Sequence, residues 1–121
     1  MNVTPNTPVT ANLWIKGSGA IQFYVKAGAW DHAKLASIRC NAVPTWQICS
    51  LPVFGTGSNN KITLIMQDDY TNGQVQVVYF GDLVASQPGK PNLLANPGFE
   101  NGSANWTRNN NQSIFTIVQN P

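Results

Sequence analysis

Charge is scarce in this chain: Asp, Glu, Lys and Arg make up only 10% of 121 residues, against about a quarter in an average globular domain. The seven Lys and Arg are scattered, so no basic run follows a phosphate backbone and nucleic acid is not an expected partner. Long apolar runs are missing too. No stretch reaches the roughly 18 to 20 apolar residues that cross a bilayer, so no membrane span is expected. Residues 1–10 are polar and include Pro5 and Pro8, unlike a signal peptide, so an export signal would lie on a longer precursor or be absent.

Groups that carry catalysis are equally few. The single histidine, His32, accompanies no serine or cysteine in a recognisable nucleophile motif, and no glycine loop is built to cradle phosphates. Asp68 and Asp69 are adjacent, so in a strand they point to opposite faces and do not form a catalytic carboxylate pair. The chain is therefore expected not to be an enzyme. Two cysteines, Cys40 and Cys49, flank a segment containing Pro44 that can turn the chain back. A disulfide and two buried free thiols are both open at this point, and one histidine is a poor basis for a Cys/His metal cluster.

In place of charge the chain has Asn, Thr, Gly and Pro, which suit the amide and hydroxyl surface of an extracellular β protein. Its length allows one domain. Alternating apolar residues recur over 9–15, 20–26, 34–40, 45–53, 61–67, 74–80 and 113–118, the rhythm of an antiparallel β-sandwich. In the second of these, Ile21, Phe23 and Val25 fall on one face, and Gln22, Tyr24 and Lys26 on a wet one. In 74–80, Val75, Val77 and Tyr79 alternate with Gln74, Gln76, Val78 and Phe80. Turn residues stand between the runs at 17–19, 27–29, 55–60 and 71–73. No period near 3.6 is sustained, so no long helix is expected. Residues 1–86 form the main part of the sandwich, 87–91 have the composition of a linker, and 92–121 are too short for a second sandwich.

The run Asn92-Leu93-Leu94-Ala95-Asn96-Pro97-Gly98-Phe99-Glu100-Asn101-Gly102, followed by Trp106-Thr107, resembles the opening signature of carbohydrate-binding modules of the family 4, 9 and 22 group. Residues 3–86 resemble the later part of such a module, through Leu13-Trp14-Ile15-Lys16-Gly17-Ser18-Gly19, Thr45-Trp46-Gln47 and Val78-Tyr79-Phe80-Gly81-Asp82-Leu83. The resemblance implies a galactose-binding-like jelly roll, but in inverted order and without the strand that usually follows the opening pair. Three organisations fit: a circular permutant, a cut across two tandem modules, or a subunit whose C-terminal strands complete the next copy. The last would cover open strand edges and, repeated head to tail, build an extracellular fibre from copies of the chain.

Sugar binding needs flat aromatic faces with amides and carboxylates beside them. The candidates are Trp30, Tyr24 and Tyr70, with Asp31, Gln22, Gln67 and Asp69 as polar neighbours; Trp30 leads because it lies among Gly28, Ala29 and Asp31 after an apolar strand, where the alternative is a cap on the core. Trp14 and Trp46 sit in strand-like runs and are expected in the core, and Trp106 matches the family's packing tryptophan. The resemblance also implies a structural Ca2+ held through Glu100 and Asp82, with Gly81 standing where a second aspartate is common. Sequons begin at Asn2, Asn101, Asn105 and Asn111 and would place glycans on an extracellular or cell-surface protein. The reading of the sequence is a non-catalytic carbohydrate-binding domain, with the fibre subunit as its alternative.

Overall fold

The computed structural model describes residues 1–28, 33–68 and 77–94, and within them the chain is all-β and antiparallel. Six strands form: β1 (Pro8–Ala27), β2 (Lys34–Ala42), β3 (Gln47–Ser50), β4 (Phe54–Gly55), β5 (Ile62–Asp68) and β6 (Val77–Ser86). The other five all pair with β1, which runs for 20 residues. Its start pairs with β4 through Pro8 and Val9; its first half lies between β3 and β6; its second half, from Gly19 onward, lies between β2 and β5. Among the described residues no helix is long and apolar enough to cross a membrane.

Two expected strands and the glycine turn between them are thus one strand. Side chains alternate along β1, and Val9, Ala11, Leu13, Ile15, Ile21, Phe23 and Val25 all point to one buried side. That odd-numbered set keeps its phase across residues 17–19, so the core runs unbroken beneath both halves. Gly17 and Gly19 adopt φ of 132° and 111°, which lets β1 change partners without a loop. At Gly17 the fit is close: a Cβ there would lie 2.1 Å from the Val77 carbonyl oxygen.

β6 carries its own irregularity. Asn12 faces Val84 while Trp14 faces Gly81, so one extra residue is accommodated on β6, and Asp82 sits there at φ 42°. The bulge resets the alternation. Before it Val78 and Phe80 pack against the core, and after it Leu83 and Ala85 do. Val77, which the sequence pattern grouped with Tyr79 apart from Val78 and Phe80, is on the solvent side.

Cys40 and Cys49 are joined in a disulfide, with their Cα atoms 6.1 Å apart. Cys40 stands opposite Ile21 and Cys49 opposite Leu13, so the bond ties together strands held by the two halves of β1. Closing so short a loop removes unfolded-chain entropy worth roughly 3 kcal/mol.

A buried polar knot fastens the chain's first residues, and nothing in the alternation announces it. Thr56 and Gln87 are the buried polar side chains of the described residues. The Thr4 carbonyl accepts from Thr56 Oγ1 at 2.8 Å and from Gln87 Nε2 at 3.0 Å, while Gln87 Oε1 accepts from the Thr4 N–H at 2.9 Å. Thr56 Oγ1 also accepts from the Thr7 N–H at 3.2 Å. Buried amides satisfied in this way are costly to strip. Gln87→Ala is expected to lower unfolding stability by about 1–3 kcal/mol, read from the urea midpoint; an unchanged midpoint would show that the knot contributes nothing.

The residues that follow the expected linker are likewise docked. The Asn92 side chain accepts from the Ala85 N–H at 3.1 Å and donates to the Leu83 carbonyl at 3.2 Å, and the Leu93 N–H donates to the Ala85 carbonyl at 2.8 Å. Residues 92–94 therefore lie along β6, with Leu93 and Leu94 packed against the core.

Candidate functional site

β1 presents two outward surfaces, one on each half, and both are built from the side chains that alternate with the core set. On the second half, Gln22 stands opposite Arg39 of β2 and Gln67 of β5, and Tyr24 stands opposite Ser37 and Ile65. Three of the sequence candidates, Gln22, Tyr24 and Gln67, thus share one face. The Tyr24 hydroxyl donates to Gln67 Oε1 at 3.0 Å, and Lys34 Nζ lies 4.3 Å from the centre of its ring.

Tyr24 departs from its expected role. It is only 2% exposed, so its ring offers no open face for a sugar to stack on; its hydroxyl instead orders Gln67. Burial raises the phenol's pKa above its ordinary value. A folded-state pKa raised in this way means that the stability Tyr24 supplies is complete below pH 10, the ordinary value, and is lost as pH rises through the folded pKa. The wild-type urea midpoint is expected to fall more steeply as pH rises above 10, the ordinary value, than that of Tyr24→Phe, which has no proton to lose. Parallel pH profiles would contradict this.

On the first half of β1 the outward side chains are Asn12, Trp14 and Lys16. Trp14 stands between Ile48 of β3 and Gly81 of β6, and Lys16 stands opposite Tyr79. Trp14 is 41% exposed and Ile48 53%, with Val84 and Val77 also exposed. Trp46, which precedes β3, folds over the same face and is 38% exposed. Its ring comes within 3.4–3.5 Å of where a Gly81 Cβ would stand, and Trp14 Cβ lies 4.0 Å from that point. The Trp46 indole thus lies low across β6, at a height where a Cβ on residue 81 would be in ordinary van der Waals contact with it. Lys16 Nζ is 5.0 Å from the centre of the Trp46 ring and 5.6 Å from that of Tyr79, within cation–π range of both.

Trp14 and Trp46 were expected in the core, and both are corrected to the surface. Trp14 shares the parity of Asn12 and Lys16, not that of Leu13 and Ile15. Trp46 lies outside the strand expected over 45–53, which is confined to Gln47–Ser50. The signal available in the sequence was the phase: Leu13 and Ile15 leave position 14 on the other face.

Asp82, expected to bind calcium, is an exposed bulge residue, and among the described residues no three His, Cys, Asp or Glu come together. Its partner Glu100 lies outside the described residues. Asn2 is exposed, as a glycosylated residue must be. Trp30, Asp31, Asp69 and Tyr70, the sequons at Asn101, Asn105 and Asn111, Trp106, and the strand expected over 113–118 all lie outside the described residues, as does the part of the strand-exchange segment that follows residue 94.

Among the described residues the first-half face gathers half-exposed indoles, a phenol, one ammonium and the amide of Asn12. No protein-family model matches the chain, and no curated protein matches it in sequence.

Proposed function

We propose that this protein is a non-catalytic, carbohydrate-binding-module-like domain of an extracellular or surface protein, and that it holds a glycan against the outer face of β3, β1 and β6. The observation that carries this reading is the pair Trp14 and Trp46, half-exposed side by side above Gly81. Pyranose rings have an apolar face of C–H groups that covers an indole, while their hydroxyls reach amide and hydroxyl partners at the edge. A surface poor in charge and rich in Asn and Thr suits a polyhydroxylated ligand. The disulfide fits an oxidising compartment. The antiparallel all-β body is also what the jelly roll of the resembling modules requires.

Affinity electrophoresis through gels containing single polysaccharides tests this reading. Retarded migration in at least one gel, relative to a non-binding reference protein, is expected. Unchanged mobility across neutral, acidic and amino polysaccharides would contradict it.

A further inference from the structure

We infer that Asp82 reads the sugar held on this face, its carboxylate accepting hydrogen bonds from two adjacent hydroxyl groups of the ring that covers the indoles; the inference rests on the glycan reading above. Phe80 and Leu83 both pack against the core, so the bulge between them leaves two successive residues, Gly81 and Asp82, on the outer side of β6. Trp14 stands opposite Gly81, and the Trp46 ring comes within 3.4 Å of where a Gly81 Cβ would be. The Asp82 Cα follows that of Gly81 at about 3.8 Å, which sets the carboxylate at the rim of the two indoles. Asp82 is exposed, and among the described residues its side chain is neither hydrogen-bonded nor ion-paired.

The backbone points the same way. Asp82 holds φ at 42°, in the left-handed region that glycine occupies freely and a residue with a Cβ occupies at a cost. Glycine would meet the geometry of the bulge with less strain, and the fold makes no polar contact with the aspartate side chain to offset the difference. Strain at an uncommitted polar residue beside an exposed aromatic pair is the pattern of a ligand-facing position. The chemistry then names the ligand class. An ionised carboxylate accepts hydrogen bonds and donates none, and its bonds to O–H groups are stronger than those between neutral partners. The ligand is therefore a polysaccharide whose rings carry two adjacent free hydroxyls. Capped as ethers, those oxygens would still accept but would have no proton to give.

The test measures affinity for the polysaccharide that retards wild type most strongly and for the same polymer after O-methylation, together with the urea midpoint of each protein. Wild type is expected to bind the unmodified polymer about tenfold more tightly than the methylated one. Asp82→Gly is expected to keep or raise the midpoint, because the positive φ is relieved, and yet to bind the unmodified polymer about fivefold more weakly than wild type, its preference over the methylated polymer shrinking by the same factor. Asp82→Asn, which tolerates this φ and keeps one acceptor oxygen, is expected to fall between the two. Wild-type affinity and preference in Asp82→Gly, or equal binding of both polymers by wild type, would overturn the inference and leave the glycan reading intact. A wild type that binds no polysaccharide would remove both. Lost binding in Asp82→Gly together with a lowered midpoint would also overturn it, by assigning the aspartate to the shaping of the bulge.

Discussion

Gly17→Ala is expected to leave the protein largely unfolded, or to cost of the order of 3 kcal/mol or more if it still folds. A methyl group at this position would meet the Val77 carbonyl oxygen at 2.1 Å, with Val77 C and Val78 Cα at 3.1 and 3.2 Å. These are backbone atoms, so no rotamer change relieves the contact. The φ of 132° adds a second cost for any residue with a Cβ. Relief would require β6 to move away from β1 near its Gly17–Val78 and Ser18–Val77 pairs, opening the core beside Val78 and Phe80. Gly55→Ala is the matched control: nothing lies within 4 Å of a Cβ there, and its midpoint in urea should stay within about 0.5 kcal/mol of wild type. Equal stability of the two variants would mean that the strand does not pass through this contact.

Much of the fold was legible because β-structure writes its burial with a period of two. Leu13 and Ile15, then Ile21, Phe23 and Val25, marked the inward face, and all are fully buried. What the pattern could not settle was continuity. Gly17-Ser18-Gly19 has the composition of a turn, yet the same conformational freedom lets an extended strand bend and continue; only the pairing of residues 10–18 with β6 and 19–26 with β2 distinguishes the two. The bulge at Asp82 was hidden for a related reason. An extra residue in one strand shifts the phase of alternation, and a reading based on a fixed phase groups Val77 and Tyr79 without revealing which side they take.

The candidate site was less legible. Gln22, Tyr24 and Gln67 do share a face, because strand parity is a local property. Whether that face is open depends on what packs over it, and Tyr24 is covered. Aromatic size misled in the opposite direction: tryptophan in a strand is commonly core, but at position 14 parity sends it outward, and Trp46 lies low across β6 at Gly81. The buried pair Thr56 and Gln87 was invisible for a third reason. Their partners are the backbone groups of Thr4 and Thr7, far away in sequence, and hydrogen bonds at such separations leave no periodic trace.

Loss of the two indoles should have the largest effect on binding. An aromatic ring covered by a ligand contributes on the order of 1–2 kcal/mol through burial and favourable ring contacts, and each 1.4 kcal/mol is about tenfold in affinity. Trp14→Ala and Trp46→Ala are therefore each expected to weaken polysaccharide binding by roughly tenfold, and the double variant by roughly a hundredfold. Stability should change much less than affinity, since both rings are substantially solvent-exposed. Trp46→Ala should cost the less of the two in folding, because it lies outside the paired strands.

The most direct measurement is retention of wild type and the Trp14→Ala, Trp46→Ala double variant in the polysaccharide gel that retards wild type most strongly, with circular dichroism and the urea midpoint recorded for both. The account expects a folded double variant that migrates as a non-binding protein does. A folded double variant that is retarded as strongly as wild type would contradict it.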